Sequence, residues 1–128
     1  MEFKTSWKSS KQPKKQRKYR SNAPLHIKHK FMASHLSKEL RQKHNKRSIT
    51  LRKGDKIKIL RGNFKGKSGV VERVVSKRDK VYVNGIEVIK KDGTKQLVPL
   101  RPSNLLITQL NLDDKKRKLK LENTNDKK

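Results

Sequence analysis

Gly62, Gly66 and Gly69, half of the six glycines in the chain, fall within eight residues of one another, just after the run Lys56-Ile57-Lys58-Ile59. That run puts Ile57 and Ile59 on one face and Lys56 and Lys58 on the other, the period-2 pattern of a half-buried strand. The glycines then permit positive φ and a tight reversal, with no Cβ to hold a partner away. Val70-Val71 resumes an extended segment. From Lys53 to Val71 we therefore expect a strand, a glycine-rich basic turn and a second strand. Lys65 and Lys67 flank Gly66, placing cationic heads around exposed backbone N–H groups at the tip, a combination that suits phosphate. A plain surface hairpin needs the same glycines; the lysines add the phosphate reading.

Charge decides which partners to consider. Thirty-seven Lys and Arg against eleven Asp and Glu leave +26 on 128 residues. A chain so charged repels itself when compact, and a polyanion is the natural compensation. Nucleic acid is the first choice and an anionic membrane the second. No apolar run approaches the roughly 18 residues of a membrane span, and Met1 to Trp7 lacks the apolar stretch of a secretory leader. The absence of cysteine excludes disulfides and thiolate zinc sites. The length suggests about one domain.

The apolar residues are unevenly spread. Twenty-two large ones lie in residues 51–110 and eleven in residues 1–50, where the net charge is +13. A core is expected in the middle, with an N-terminal third held loosely until RNA neutralises it. Residues 1–22 form a basic arm in which Trp7 and Tyr19 interleave with cations, the mixture that contacts phosphates and stacks on bases. Phe3 and Trp7, at i and i+4, have protein docking as the alternative. Pro24 suits the first position of a short helix. Ser34 is the expected N-cap of a second, from about His35 to His44, with Leu36 and Leu40 on one face. His26 and His29 have helical spacing, but with no carboxylate nearby and cationic surroundings we expect no metal.

Val70 to Val75 reads as a strand apolar on both faces. Asn84-Gly85 is a strong hairpin dipeptide, yet Asp92-Gly93 follows too soon for two full hairpins. We place a bend or bulge at the first and the hairpin at the second. Pro99 suits an edge, and Leu105 to Thr108 a last strand. A helix capped by Asn111 or Asp113 is expected to run through Leu119 and Leu121, with Asn123 to Lys128 disordered.

Catalytic chemistry is not indicated. Asp55, Glu72, Asp79, Glu87 and Asp92 each sit amid Lys or Arg, as local charge partners and turn formers do. Gly62, Gly66, Lys67 and Ser68 fall one residue short of a phosphate-binding P-loop and lack the helix that such a loop opens. We expect no enzyme, no cofactor and no small-molecule substrate.

The run Gly54-Asp55, Ile57, Ile59-Leu60, Gly62, Phe64-Lys65-Gly66-Lys67, Gly69-Val70-Val71 resembles a KOW motif, the RNA-binding strand–loop–strand of small SH3-like barrels. The flanks, Asn22 to Ile27, Leu36 to Ser48 and Pro102 to Thr108, resemble one family. It is the large-subunit ribosomal protein family numbered twenty-four in bacteria and twenty-six in eukaryotes, in its archaeal/eukaryotic form. The likeness covers roughly residues 13–120. It implies a mostly β fold, a small SH3-like barrel over residues 49–110. A basic N-terminal extension with two short helices covers 1–48, and a basic C-terminal tail 111–128.

The resemblance further implies a structural constituent of the cytosolic large ribosomal subunit. Such proteins bind large-subunit rRNA, support its assembly near the polypeptide exit tunnel and touch neighbouring ribosomal proteins. Carried over residue by residue, RNA contact falls on Arg61, Asn63, Lys65, Gly66 and Lys67 of the loop. To these it adds Arg17, Lys18 and Arg20 of the arm, Lys38, Arg41, Lys43 and Arg47 of the helical segment, and Arg101. Low aromatic content, 5%, favours recognition of RNA shape and phosphate over reading of a single strand. Two rivals differ in class. A transcription-elongation KOW factor needs a further α/β domain, for which this length has no room. A membrane-active cationic protein needs a broader apolar helix face than any here.

Overall fold

In chain order, residues 3–123 of the computed structural model form α1 (Pro13–Asn22), α2 (Leu25–Phe31), β1 (Ala33–Leu36), α3 (Lys38–His44), β2 (Ser48–Thr50), β3 (Lys56–Ile59), β4 (Ser68–Val75), β5 (Lys80–Val83), β6 (Glu87–Ile89), β7 (Lys95–Leu97), β8 (Leu105–Gln109) and α4 (Lys115–Glu122). The architecture is mixed α/β, not mostly β, because helices fill much of the N-terminal third. Pro13 opens α1 at a position where its missing N–H costs nothing. Ser37 caps α3, its hydroxyl accepting from Leu40 N at 3.5 Å.

Six strands pair in the order β2-β1-β8-β3-β4-β5, and β6 and β7 form a separate hairpin. The expected last strand, β8, runs through the middle of this sheet, parallel to β1 and antiparallel to β3, and the expected barrel is not closed. An isolated bridge joins Val81 to Leu100 beyond β5.

The helix expected over His35 to His44 is divided. Met32, Ser34 and Leu36 are buried while Ala33 and His35 are half-buried, a period-2 pattern, and residues 33–36 are strand. Leu36 and Leu40 mimic a helix face, but β1 gains ladders on both sides from β2 and β8. Ser34, the expected cap, is buried and donates its hydroxyl to Pro102 O at 2.6 Å. The N-terminal third therefore contributes a strand to the sheet and two side chains, Met32 and Leu36, to the core.

Register defines two faces. Leu36, Ile107 and Ile57 align across β1, β8 and β3 and are all fully buried. His35, Leu106 and Lys58 align in the next row and face outward. Leu51, Val71, Val81, Val83 and Ile86 complete the apolar side. Each such side chain contributes roughly 1.5–3 kcal/mol by leaving water.

The glycine-rich turn joins β3 to β4 as expected, with φ of +100° at Gly62 and +87° at Gly66. Gly69 serves differently. It lies in β4, where an added Cβ would stand 2.6 Å from Val83 Cγ1 and 2.8 Å from Asn84 O. Strand β4 shifts register between Val71 and Arg73, which re-aims it from β3 toward β5. The chain turns at Asn84-Gly85 without pairing β5 to β6, and the hairpin closes at Asp92-Gly93. There the Thr94 hydroxyl and amide donate to Asp92 Oδ1 at 2.7 and 3.0 Å, holding that carboxyl below its usual pKa.

Asp114, one residue beyond the expected caps, caps α4 by accepting from Lys116 N at 3.0 Å. Leu121 is buried, but Leu119 is 55% exposed. Of the end expected to be disordered, Asn123 alone lies among the described residues, where its N–H donates to Leu119 O. Residues 124–128 lie outside them.

Candidate nucleic-acid interface

Four bonds shape the β3–β4 loop from within. Gly66 N donates to Ile59 O and Ile59 N to Lys67 O, both at 2.8 Å, while Lys65 N donates to Gly62 O and Lys67 N to Phe64 O. The tip N–H groups of Lys65, Gly66 and Lys67, expected to face a phosphate, are spent inside the loop. Anion recognition there falls to the side chains of Arg61, Lys65 and Lys67. Phe64 is half-buried against the core, and Lys67 Nζ lies 5.2 Å from its ring centroid. The ammonium thus stands over the ring face as a cation–π contact on the exposed side of the loop.

Beside the loop lies an open cleft of about 310 Å³ on the outer face of the sheet. Arg41 reaches it from α3, Arg47 from the turn after α3, and Arg61 from the β3–β4 loop. His35 and Leu106, side by side in the outward row, line it with Leu60 and the Ser103-Asn104 turn. Two bonds fix the walls: Leu60 N donates to Asn104 O at 2.9 Å, and Leu36 N to Arg47 O at 3.0 Å. Arg41 is itself anchored, its Nε donating to Leu36 O at 2.8 Å and one Nη lying 3.5 Å from His35 Nδ1. No carboxylate is among the described residues lining the cleft.

Of the thirteen residues singled out for RNA contact, all are exposed except Lys18, which is half-buried. The cleft gathers Arg41, Arg47 and Arg61. Asn63, Lys65, Gly66 and Lys67 project with the loop, Lys38 and Lys43 lie along α3, and Arg101 precedes the turn that borders the cleft. Arg17, Lys18 and Arg20 belong to α1. Arg20 bonds Asp79 Oδ2 at 3.0 Å and lies over the Phe31 ring at 4.7 Å, and Lys18 Nζ sits 5.9 Å from the Trp7 ring centroid.

Tyr19, expected among the rings open to bases, is buried. It packs between Phe3 and Phe31, with centroids 5.0 and 6.0 Å away. Gln16 ties the preceding turn to α1 by donating to Ser10 O at 2.7 Å. The arm's aromatics therefore hold protein together, the docking alternative for Phe3.

Three features escaped the sequence reading. His35 and Leu60 in the cleft looked like helix and strand residues. Asp55, read as a local partner, is fully buried against Arg117 of α4. A second groove, about 850 Å³, runs between α2, the β2–β3 turn and α4. Lys30, Lys53 and Lys116 line it together with Asp113 and Asp114, and Arg52 bonds Asp114 at 3.0 Å. The basic run Lys115 to Lys118 was the available signal for it. Among the described residues no helix is long and apolar enough to cross a membrane.

Comparison with known proteins gives concordant matches. Residues 10–124 match the family described as ribosomal proteins L26 of eukaryotes and L24P of archaea. The large ribosomal subunit protein uL24 of Methanosphaera stadtmanae is 48% identical over 108 residues, 84% of this chain and 92% of that protein. The protein of the same name from Methanospirillum hungatei is 47% identical over 112 residues, 88% and 93% of the two chains.

Proposed function

Since the chain belongs to the family of eukaryotic L26 and archaeal L24P ribosomal proteins, we propose that it binds large-subunit rRNA through the loop and cleft beside β3. The family is one of structural ribosomal proteins, not enzymes, and the chain is a structural constituent of the large subunit. The β3–loop–β4 unit takes the part of a KOW motif, and the open sheet that of an SH3-like barrel. Residues 49–110 supply most strands of that sheet, and 1–48 and 111–128 the basic extensions that reach RNA. The place of work is the cytosolic ribosome, near the exit tunnel and beside neighbouring ribosomal proteins.

One observation carries this reading. Arg41, Arg47 and Arg61 come from three separate segments and converge on one cleft with no carboxylate among its described lining residues. Such convergence without internal neutralisation is stable when an external polyanion supplies the countercharge. Arg presents a planar fork that suits phosphate better than Lys does. The test is sedimentation of tagged chain through a gradient at moderate salt, with identification of the RNA that travels with it. Large-subunit rRNA is the expected companion; polymerase without ribosomal RNA, or no RNA at all, contradicts the proposal.

A further inference from the structure

Beyond general phosphate contact, the cleft combines charge with an apolar floor. Leu60, 37% exposed, lines it among the arginines, and Leu106 lies beside His35 in the outward row. Arg41 is held by Leu36 O and His35, which fixes the plane of its guanidinium. Arg47 and Arg61 are exposed and complete the cleft's lining of cations. The volume, about 310 Å³, lies at the lower end of the roughly 300–1,000 Å³ of small-ligand sites. It has room for one nucleotide and not for a helix.

We propose that this cleft receives a single unstacked nucleotide of RNA, its base over Leu60 and Leu106 beside His35 and the Arg41 plane, its phosphates on Arg47 and Arg61. The proposal deepens the RNA-binding reading and rests on it. Proteins commonly seize bulged or looped-out nucleotides on ring and guanidinium faces, since the deep major groove of an RNA helix is closed to side chains. An acidic peptide would satisfy the arginines but leave the leucines uncovered. Free phosphate would do the same.

The test uses the full chain and two hairpin RNAs, one carrying a bulged fluorescent aminopurine and one fully paired. The bulged hairpin is expected to bind about tenfold tighter, with a change in aminopurine emission. Leu60→Ser, at a partly exposed position, removes that preference and leaves the salt dependence intact. Arg47→Gln lowers the slope of log affinity against log salt by about one. Arg41→Lys keeps the charge, loses the planar fork and weakens the bulged hairpin selectively. Thermal melts verify that each variant folds. Equal binding of both hairpins with unchanged emission overturns the nucleotide site while the RNA reading stands. A preference that survives Leu60→Ser overturns it too, and binding to neither hairpin overturns both.

Discussion

Arg117 of α4 grips Asp55, 62 residues earlier in the chain, with Nη1 on Oδ1 and Nη2 on Oδ2, each at 2.7 Å. Asn111 N and Arg52 N donate to the same carboxylate at 2.8 and 3.0 Å. Arg117 also donates to Asn111 O and Thr50 O. One arginine thereby pins the C-terminal helix to the β2–β3 turn, next to the strand that feeds the basic loop. The two side chains are 4% and 0% exposed, so removing either partner strands a charge out of reach of water.

Arg117→Ala is therefore expected to cost about 3–5 kcal/mol, read from urea unfolding. A loss below about 1 kcal/mol, the range of surface pairs, would show that the pair is dispensable.

Gly66 and Gly69 should respond differently to alanine. At Gly66 an added Cβ meets nothing within 4 Å, and its cost of about 1 kcal/mol comes from positive φ alone. At Gly69 the backbone is ordinary, but the Cβ meets Val83 Cγ1 and the Asn84 carbonyl. Carbonyl and strand cannot move without disturbing the β4–β5 ladder, so Gly69→Ala costs more, about 1–3 kcal/mol. Thermal unfolding of the two variants checks the order; the reverse order contradicts it.

His44, 8% exposed at the end of α3, has its pKa lowered by burial first, then by Lys43 and Lys46. The fold thus prefers the neutral ring. Above the ordinary imidazole pKa of about 6.5 both folded and unfolded rings are neutral, and the full stability is present. As pH falls below that value the unfolded chain takes up the proton first, and stability is lost until the folded ring titrates as well. Urea midpoints between pH 8 and pH 5 should decline more for the native chain than for His44→Gln. Parallel declines would remove His44 from the account.

Arg20 and Arg61 are both exposed arginines with different duties. Arg20 is engaged by Asp79 and Phe31, whereas Arg61 sits on the loop at the cleft rim. Arg20→Gln should leave the salt slope for hairpin RNA unchanged and lower the melting temperature slightly. Arg61→Gln should lower the slope by about one and leave melting unchanged. Exchanged effects would move the RNA contact to α1.

Local pattern made the β3–β4 unit legible. Ile57 and Ile59 alternate with lysines, and Gly62 and Gly66 mark the reversal, so every signal lies within a dozen or so residues. Proximity also separated Asn84-Gly85 from the true hairpin. Strand β1 was not legible, because four residues hold their conformation through β8, some seventy positions away, while Leu36 and Leu40 imitate a helix. Asp55 and Arg117 resembled the other surface charges, and nothing local pairs positions 62 apart. The cleft arginines were identifiable as cations, but their convergence required the β1–β8 ladder and the Asn104–Leu60 bond. Tyr19 misled for a related reason: an aromatic among lysines suits base stacking or a small protein core equally well, and Phe3 and Phe31 decide between them.

The central claim is that this basic surface recognises folded RNA and does not merely attract anions. Competition binding of the full chain to a transcript of large-subunit rRNA, against heparin at matched charge and moderate salt, measures it directly. A transcript retained in the presence of excess heparin, with a steep but finite salt slope of about −0.7 to −0.9 per phosphate contact, is the predicted result. Displacement by heparin at equal charge would contradict it.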